Sequence, residues 1–266
     1  IEAIEAYKKV LRLKPDLKEA FFCLGNTYWQ IGRDEEAAEA FENALKLDAD
    51  YTDAAVNLAE IKNDEAALQL LAQKNPQDAR PFYYLGRRKF TQQKYSEANL
   101  YLQQADFLQE NAEIKTILGE TLLFLQKKDE ALPFFYAALR LDPHNSAAAL
   151  HIADLEAEKA NYAEAEKYYK KAGELNPDSV QMHANYANML CRLKRTLEAL
   201  EEYRAAVRLA PEQPELSYNL AIILKTLEEY EQALALMFNA FYLAPHHIDW
   251  SLNIAETITL FYAKSH

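Results

Sequence analysis

Leu139–Ser146 reads LRLDPHNS, and it returns along the chain. Its proline, Pro143, is followed by Pro177, Pro211 and Pro245, at a constant step of thirty-four. The wording around them is alike: LRLDP, GELNP, VRLAP, FYLAP. Pro15, in LRLKP, belongs to the same series. The interval from Pro15 to Pro76 falls seven short of two periods, and that from Pro76 to Pro143 falls one short. A fixed period of roughly 20–50 residues marks a repeat architecture, in which each unit buries its apolar face against its neighbours. The chain is one unit copied, and function is a question of what the copies display.

With the recurring proline at position 32 of each unit, the copies span 18–51, 52–78, 79–111, 112–145, 146–179, 180–213 and 214–247. A half copy precedes them (1–17) and another follows (248–266). Position 8 is always small: Gly25, Ala59, Gly86, Gly119, Ala153, Ala187, Ala221, Ala255. In the full-length copies position 20 is Ala37, Ala98, Ala131, Ala165, Ala199 or Ala233, and position 27 is Ala44, Ala105, Ala138, Ala172, Ala206 or Ala240. Position 24 is large: Phe41, Leu102, Phe135, Tyr169, Tyr203, Met237. Large beside small at helical spacing is what two packed helices need. Positions 4, 7, 8 and 11 share a face of a first helix, A, and positions 20, 24 and 27 share a face of a second, B. The proline then stops helix B, since the residue before it is driven out of the α region. The copy 52–78 lacks seven residues, about two helical turns, so each of its helices should be about one turn shorter, with Asn63 near the joint and a break in the regularity of the array.

Small-8, Ala-20, aromatic-24, Ala-27 and Pro-32 within this period resembles the tetratricopeptide repeat, and the resemblance covers essentially the whole chain. It departs where Ala49 and Glu110 replace the proline, and where Lys115, Ala149, His183, Ser217 and Ser251 stand in the place of the early helix A aromatic seen at Phe21 and Phe82. The resemblance implies an all-α solenoid of antiparallel helix pairs, wound into a right-handed superhelix with helix A lining its concave face. The C-terminal half copy leaves Trp250 and Phe261 facing forward, where a terminal helix should be polar. Both ends therefore read as cuts through a longer array, with Trp250 and Phe261 exposed and end-to-end self-association expected.

Composition narrows the partners. The formal charge is −12, which opposes nucleic acid and anionic membrane surfaces, since phosphate binding needs Lys and Arg. No apolar run reaches the ~18–20 residues that span a bilayer. Five glycines in 266 residues favour helix throughout. Cys23 and Cys191 lie far apart in the sequence, each in a helical pattern, so they read as small fillers and not as a disulfide or a zinc site. With no secretory signal in view, the expected compartment is the cytoplasm. No GxGxxG, Walker loop, HExxH or CxxC is present. The expectation is no catalytic residue, no metal and no cofactor, and His246–His247 reads as a solvated turn.

The informative surface is the other side of helix A. Position 6 carries Asn57, Asn185, Asn219 and Asn253, and position 9 adds Asn26 and Asn188. Asparagine is a mediocre helix former, and its amide can grip both the N–H and the C=O of a peptide bond. The series resembles the asparagine ladder in the repeat domain of O-linked N-acetylglucosamine transferases, which clamps an extended polypeptide. The alternative is that these amides bond to a neighbouring helix. Aromatics outside the core positions include Phe22, Trp29, Tyr83, Tyr84, Phe90, Phe124 and Tyr218; such groups can anchor a ligand. Carboxylates on the same face (Glu19, Asp53, Glu60, Glu113, Glu120, Asp154, Glu158, Glu215, Asp249, Glu256) outnumber Arg80, Arg87, Arg192 and Lys225. The partner expected is thus a basic or neutral protein segment. The basic clamp with which family members hold acidic chaperone C-termini is absent from adjacent copies. The sequence therefore reads as a non-enzymatic interaction scaffold that binds an extended polypeptide in its groove. The alternative is the substrate-targeting module of a larger enzyme such as a glycosyltransferase or methyltransferase. The residues singled out are Asn57, Asn185, Asn188, Asn219, Asn253, Tyr83, Tyr84, Tyr218, Glu215 and Asp249.

Overall fold

The computed structural model describes residues 2–264, which form sixteen α-helices and no strand. They fall into two compact units, 1–134 and 135–266. In the first, α1 (Glu2–Leu13) leads into the hairpins α2–α3 (Lys18–Gln30, Asp34–Leu47), α4–α5 (Thr52–Ile61, Glu65–Lys74) and α6–α7 (Ala79–Thr91, Tyr95–Leu108), followed by α8 (Ala112–Phe124). Helix α9 (Lys128–Leu141) straddles the division. The second unit continues with α10–α11 (Ser146–Glu158, Tyr162–Leu175), α12–α13 (Val180–Arg192, Thr196–Leu209), α14–α15 (Pro214–Thr226, Tyr230–Leu243) and α16 (Ile248–Lys264). The fold is the all-α repeat solenoid. None of the described helices is long and apolar enough to cross a membrane.

The small and large positions form the core. The alanines of positions 20 and 27 are at most 2% exposed, and so are all six large residues of position 24. The helices meet closely because position 8 is small. A Cβ on Gly25 would lie 2.7 Å from the Phe41 ring, and one on Gly86 would lie 2.6 Å from Leu102 Cγ. Bulk on one helix thus fills the hollow left on its partner.

Helix A ends the same way in each hairpin. Gly32, Asn63, Gln93, Gln126, Ala160, Lys194 and Glu228 all take a positive φ. The next N–H then reaches back five residues, as from Arg33 to the Tyr28 carbonyl (2.9 Å) and from Arg195 to that of Leu190 (3.0 Å). This closure satisfies the last carbonyls of the helix. It imposes a left-handed conformation even where the residue is Ala or Glu, at a steric cost of about 1–2 kcal/mol that only Gly32 escapes.

The irregular copies compensate in recognisable ways. Helices α4 and α5 have 10 residues each, against 13 and 14 in the other hairpins. Near the clipped tip, Trp29 of α2 comes within 6.5 Å of the Tyr84 ring on α6, passing the shortened hairpin between them. Lys89, 6% exposed, pairs with Glu65 at 2.7 Å and Glu97 at 3.3 Å. Lys115, where an early aromatic is missing, is buried against Asp106 (2.8 Å) and Glu110 (3.7 Å), and Glu110 itself occupies the missing proline's place.

The C-terminal helix corrects an expectation. Trp250 is 8% exposed, not open to solvent. It stacks between Tyr218 and His247, with ring centroids 4.3 Å away on either side. The turn residue His247 thus covers the indole, and His246 lies against it in turn at 4.3 Å. Phe261 is half-buried. The outward apolar groups on α16 are Ile248, Leu252, Leu260 and Tyr262 instead.

Candidate functional site

In the first unit, the outer face of the A helices carries an aromatic and charged patch. Tyr83 and Tyr84 lie 5.2 Å apart, and the Arg87 guanidinium sits over both rings, at 5.6 and 5.4 Å. Arg87 also ion-pairs with Glu60, which takes Arg88 on its other oxygen at 3.1 Å. Arg80 joins Asp53 (2.6 Å) to Asp78 (2.7 Å). Tyr83 donates to Glu113; burial first, then that hydrogen bond, raises its phenol well above the usual range. Asn57 is buried and donates to Asn26 at 2.8 Å. The groove carboxylates Asp53 and Glu60 are therefore both paired with arginines inside the protein.

In the second unit the amides sit between successive A helices. Asn185 of α12 donates to both Asp154 oxygens on α10, at 3.0 and 3.1 Å. Tyr169 of α11 donates to the same carboxylate at 2.6 Å. One copy on, Tyr203 of α13 donates to Asn188 at 2.6 Å, and Asn219 is near enough to oppose the rise of its phenol. Burial pushes the Tyr203 phenol up to about 12. Asn253 of α16 donates to the Tyr218 hydroxyl of α14 at 2.7 Å and accepts from Lys225 at 3.4 Å. Lys225 pairs with Glu256 at 2.9 Å. Glu215 faces His247 at 3.6 Å. Asp249 is exposed, near enough for its charge to add to the burial that raises the Tyr218 phenol.

The singled-out residues thus gather in groups: Tyr83 with Tyr84, Asn188 with Asn219 at Tyr203, and Asn253 with Tyr218 and Trp250. Asn57, Asn185, Asn188 and Asn253 all have hydrogen-bond partners inside the protein. A ligand must share these amides or displace what they hold. Periodicity alone places Tyr169 and Tyr203 in the core and nowhere else. Yet among the full-length copies position 24 is tyrosine in just those two, which are consecutive. A phenol in a core position signals a polar partner within reach, and here it is the Asp154 or Asn188 side chain.

Asp154, Glu158, Tyr169, Asn185, Asn188 and Arg192 line a cleft of about 230 Å³. Burial raises the Asp154 carboxyl above its ordinary range, against the opposing hydrogen bonds of Tyr169 and Asn185. Among the described residues no group of three or more His, Cys, Asp or Glu side chains is arranged to hold a metal.

Comparisons with known proteins follow the same pattern. Four family models match, described as TPR repeat (residues 2–32) and as tetratricopeptide repeat (18–51; 125–189; and 83–146 with 192–246). None of them covers residues 52–82, where the shortened copy lies. The chain is 27% identical over 166 residues to the type IV pilus assembly protein PilF of Pseudomonas aeruginosa, covering 59% of this chain and 66% of that one. It is 24% identical over 229 residues to the human protein O-mannosyl-transferase TMTC3, covering 68% of this chain and 25% of that one. The matches thus span only part of each curated relative. Among solved structures, that of Pseudomonas aeruginosa pilF superposes with a TM-score of 0.67 at 24% identity, over 73% of this chain and 92% of that one. Cut9, in its complex with Hcn1, superposes with a TM-score of 0.57 at 15% identity, over 94% of this chain and 50% of that one. With its constant repeat period, its helix-pair packing and these matches, the chain belongs to the tetratricopeptide repeat family.

Proposed function

We propose that this chain is a non-enzymatic scaffold that binds an extended, basic or neutral polypeptide along the faces of its A helices. The observation that carries this reading is the placing of its aromatic and amide side chains. Trp29, Tyr83 and Tyr84, and Asn185, Asn219 and Asn253, lie half-buried on the A-helix faces, outside the alanine-lined seams. Rigid aromatics of this kind anchor peptides at low entropic cost, and amides read backbone without regard to sequence. Asp249 and Glu215 keep the last copies acidic, which favours basic segments by charge complementarity. The likeness to a pilus assembly protein supports a role in holding another polypeptide. The test is fluorescence anisotropy with one basic and one acidic extended peptide at two salt concentrations. Tighter binding of the basic peptide, weakened by salt and by Glu215→Lys with Asp249→Lys, is expected. Tighter binding of the acidic peptide overturns the reading.

A second reading has an observation in its favour. The chain resembles a quarter of a mannosyl-transferase, and a repeat array of this kind could serve as the targeting module of such an enzyme. A full-length sequence with a catalytic domain would decide for it. The cytoplasm is proposed as the compartment, and fractionation of the full-length protein tests that.

A further inference from the structure

The acidic groups on the A-helix faces differ in one respect that points to a ligand. Asp53 is held by Arg80, Glu60 by Arg87 and Arg88, and Glu256 by Lys225. Asp154 instead takes neutral hydrogen bonds, from Tyr169 and Asn185. His151, one turn earlier on α10, stacks on the Phe135 ring at 4.6 Å and offers Asp154 a favourable charge only when protonated. Glu158, one turn later, adds a like charge. Arg192 lines the same cleft, yet it is exposed and forms no ion pair with Asp154. A half-buried carboxylate held only by neutral groups is costly, and a cation brought into contact with it is correspondingly favoured. The cleft above it measures about 230 Å³. A water's share of liquid volume is about 30 Å³, so there is room for the end of a long side chain.

We propose that the cleft between α10 and α12 is a subsite for a lysine or arginine side chain of the bound polypeptide, with Asp154 as its counter-ion. This rests on the groove reading above and sharpens it. Basic segments are selected at one built position, where Tyr169 and Asn185 hold the carboxylate in place, and not by a diffuse surplus of charge. Arg192 stands at the mouth and opposes the incoming cation, so it limits affinity. Removing it should help the ligand that removing the Asp154 charge harms.

The opposite signs make the test sharp. Three fluorescein-labelled extended peptides, identical except for one central Lys, Gln or Glu, are titrated by anisotropy against the unmodified chain, Asp154→Asn and Arg192→Ala. The Lys peptide should bind most tightly. Asp154→Asn should weaken it by about tenfold, the scale of one charge-assisted hydrogen bond, and leave the Gln peptide nearly unchanged. Arg192→Ala should strengthen the Lys peptide by about threefold, as expected for an exposed charge. Tightest binding of the Glu peptide, lost in Arg192→Ala, would assign the cleft to a carboxylate and sink the proposal. Tightest binding of the Gln peptide, weakened by both variants, would assign it to an amide, with the same result. Equal binding of all three defeats the subsite and leaves the groove reading standing. Binding of none defeats both. Thermal melts check the fold of Asp154→Asn, and Arg192→Ala is a surface change that keeps the test decisive.

Discussion

Gly86→Ala isolates the close approach of the two helices in a hairpin. The added methyl would meet Leu102 at three atoms: Cγ at 2.6 Å, Cδ2 at 2.9 Å and the backbone nitrogen at 3.2 Å. Ordinary carbon contacts lie at ~3.5–4.0 Å, so Leu102 would have to retreat by about 1 Å. It is completely buried, and its backbone cannot move without displacing α7. Overpacking of this sort costs about 1–3 kcal/mol. Against it stands the helix propensity of alanine, worth about 0.8–1.0 kcal/mol over glycine. The net expectation is a loss of ~1 kcal/mol. Gly173→Ala is the control. Its methyl would meet Met182 Cε at 2.9 Å and Sδ at 3.6 Å, the far end of a flexible side chain that can swing aside. There propensity should win, giving a neutral to slightly stabilising change. Urea unfolding followed by far-UV circular dichroism measures both, with midpoints compared at unchanged slope. If Gly86→Ala stabilises as much as Gly173→Ala, the close-approach argument fails.

Other expectations follow from individual contacts. Asn185→Ala, Asn219→Ala and Asn253→Ala together should weaken basic and neutral peptides, by about 0.5–1.5 kcal/mol per lost contact, and basic ones more, since Asn185 also holds Asp154. The triple variant should also unfold at lower urea, because Asp154 and Tyr218 each lose an amide hydrogen bond; unchanged stability would mean that those bonds are not made in solution. Trp250→Ala should loosen α16 by about 3 kcal/mol or more, read as faster amide hydrogen exchange in 248–264 with 146–179 unaffected; equal exchange in both variants would deny the Tyr218–Trp250–His247 stack a structural role. Glu166 is held at about 2 by hydrogen bonds from Arg195 and Lys170. Its stabilising effect is therefore present above the ordinary carboxylate pKa and is lost as pH falls toward 2. The stability gap between the parent and Glu166→Gln should be about 1 kcal/mol at neutral pH and should close in acid; a gap that widens below pH ~4 would contradict the sign.

The repeat made most of the fold legible before any coordinate. A solenoid copies its packing contacts, so the small residues at positions 8, 20 and 27 and the large ones at 24 appear as periodic letters, and they turn out to be the buried seams. The seven missing residues likewise announce the shortened helices α4 and α5, because helix length is a count of residues. Other features depend on where a neighbouring helix happens to lie. Trp250 looked free until the turn residue His247 and Tyr218, on the preceding A helix, closed over its two faces. The helix A closures adopt a left-handed residue whether or not it is glycine, since the returning hydrogen bond and not the side chain sets that angle. The asparagines could be read as a series, with bonding to a neighbouring helix as one reading of it, but their partners could not be named: those of Asn57, Asn185 and Asn253 lie about a repeat back in the sequence, on the preceding A helix, and that of Asn188 on the B helix of its own hairpin. Asp154 was one acidic candidate among ten. Only the packing of α10, α11 and α12 buries it beside a cleft with neither lysine nor arginine bonded to it, because burial and pairing are properties of surfaces brought together and not of the order of residues along the chain.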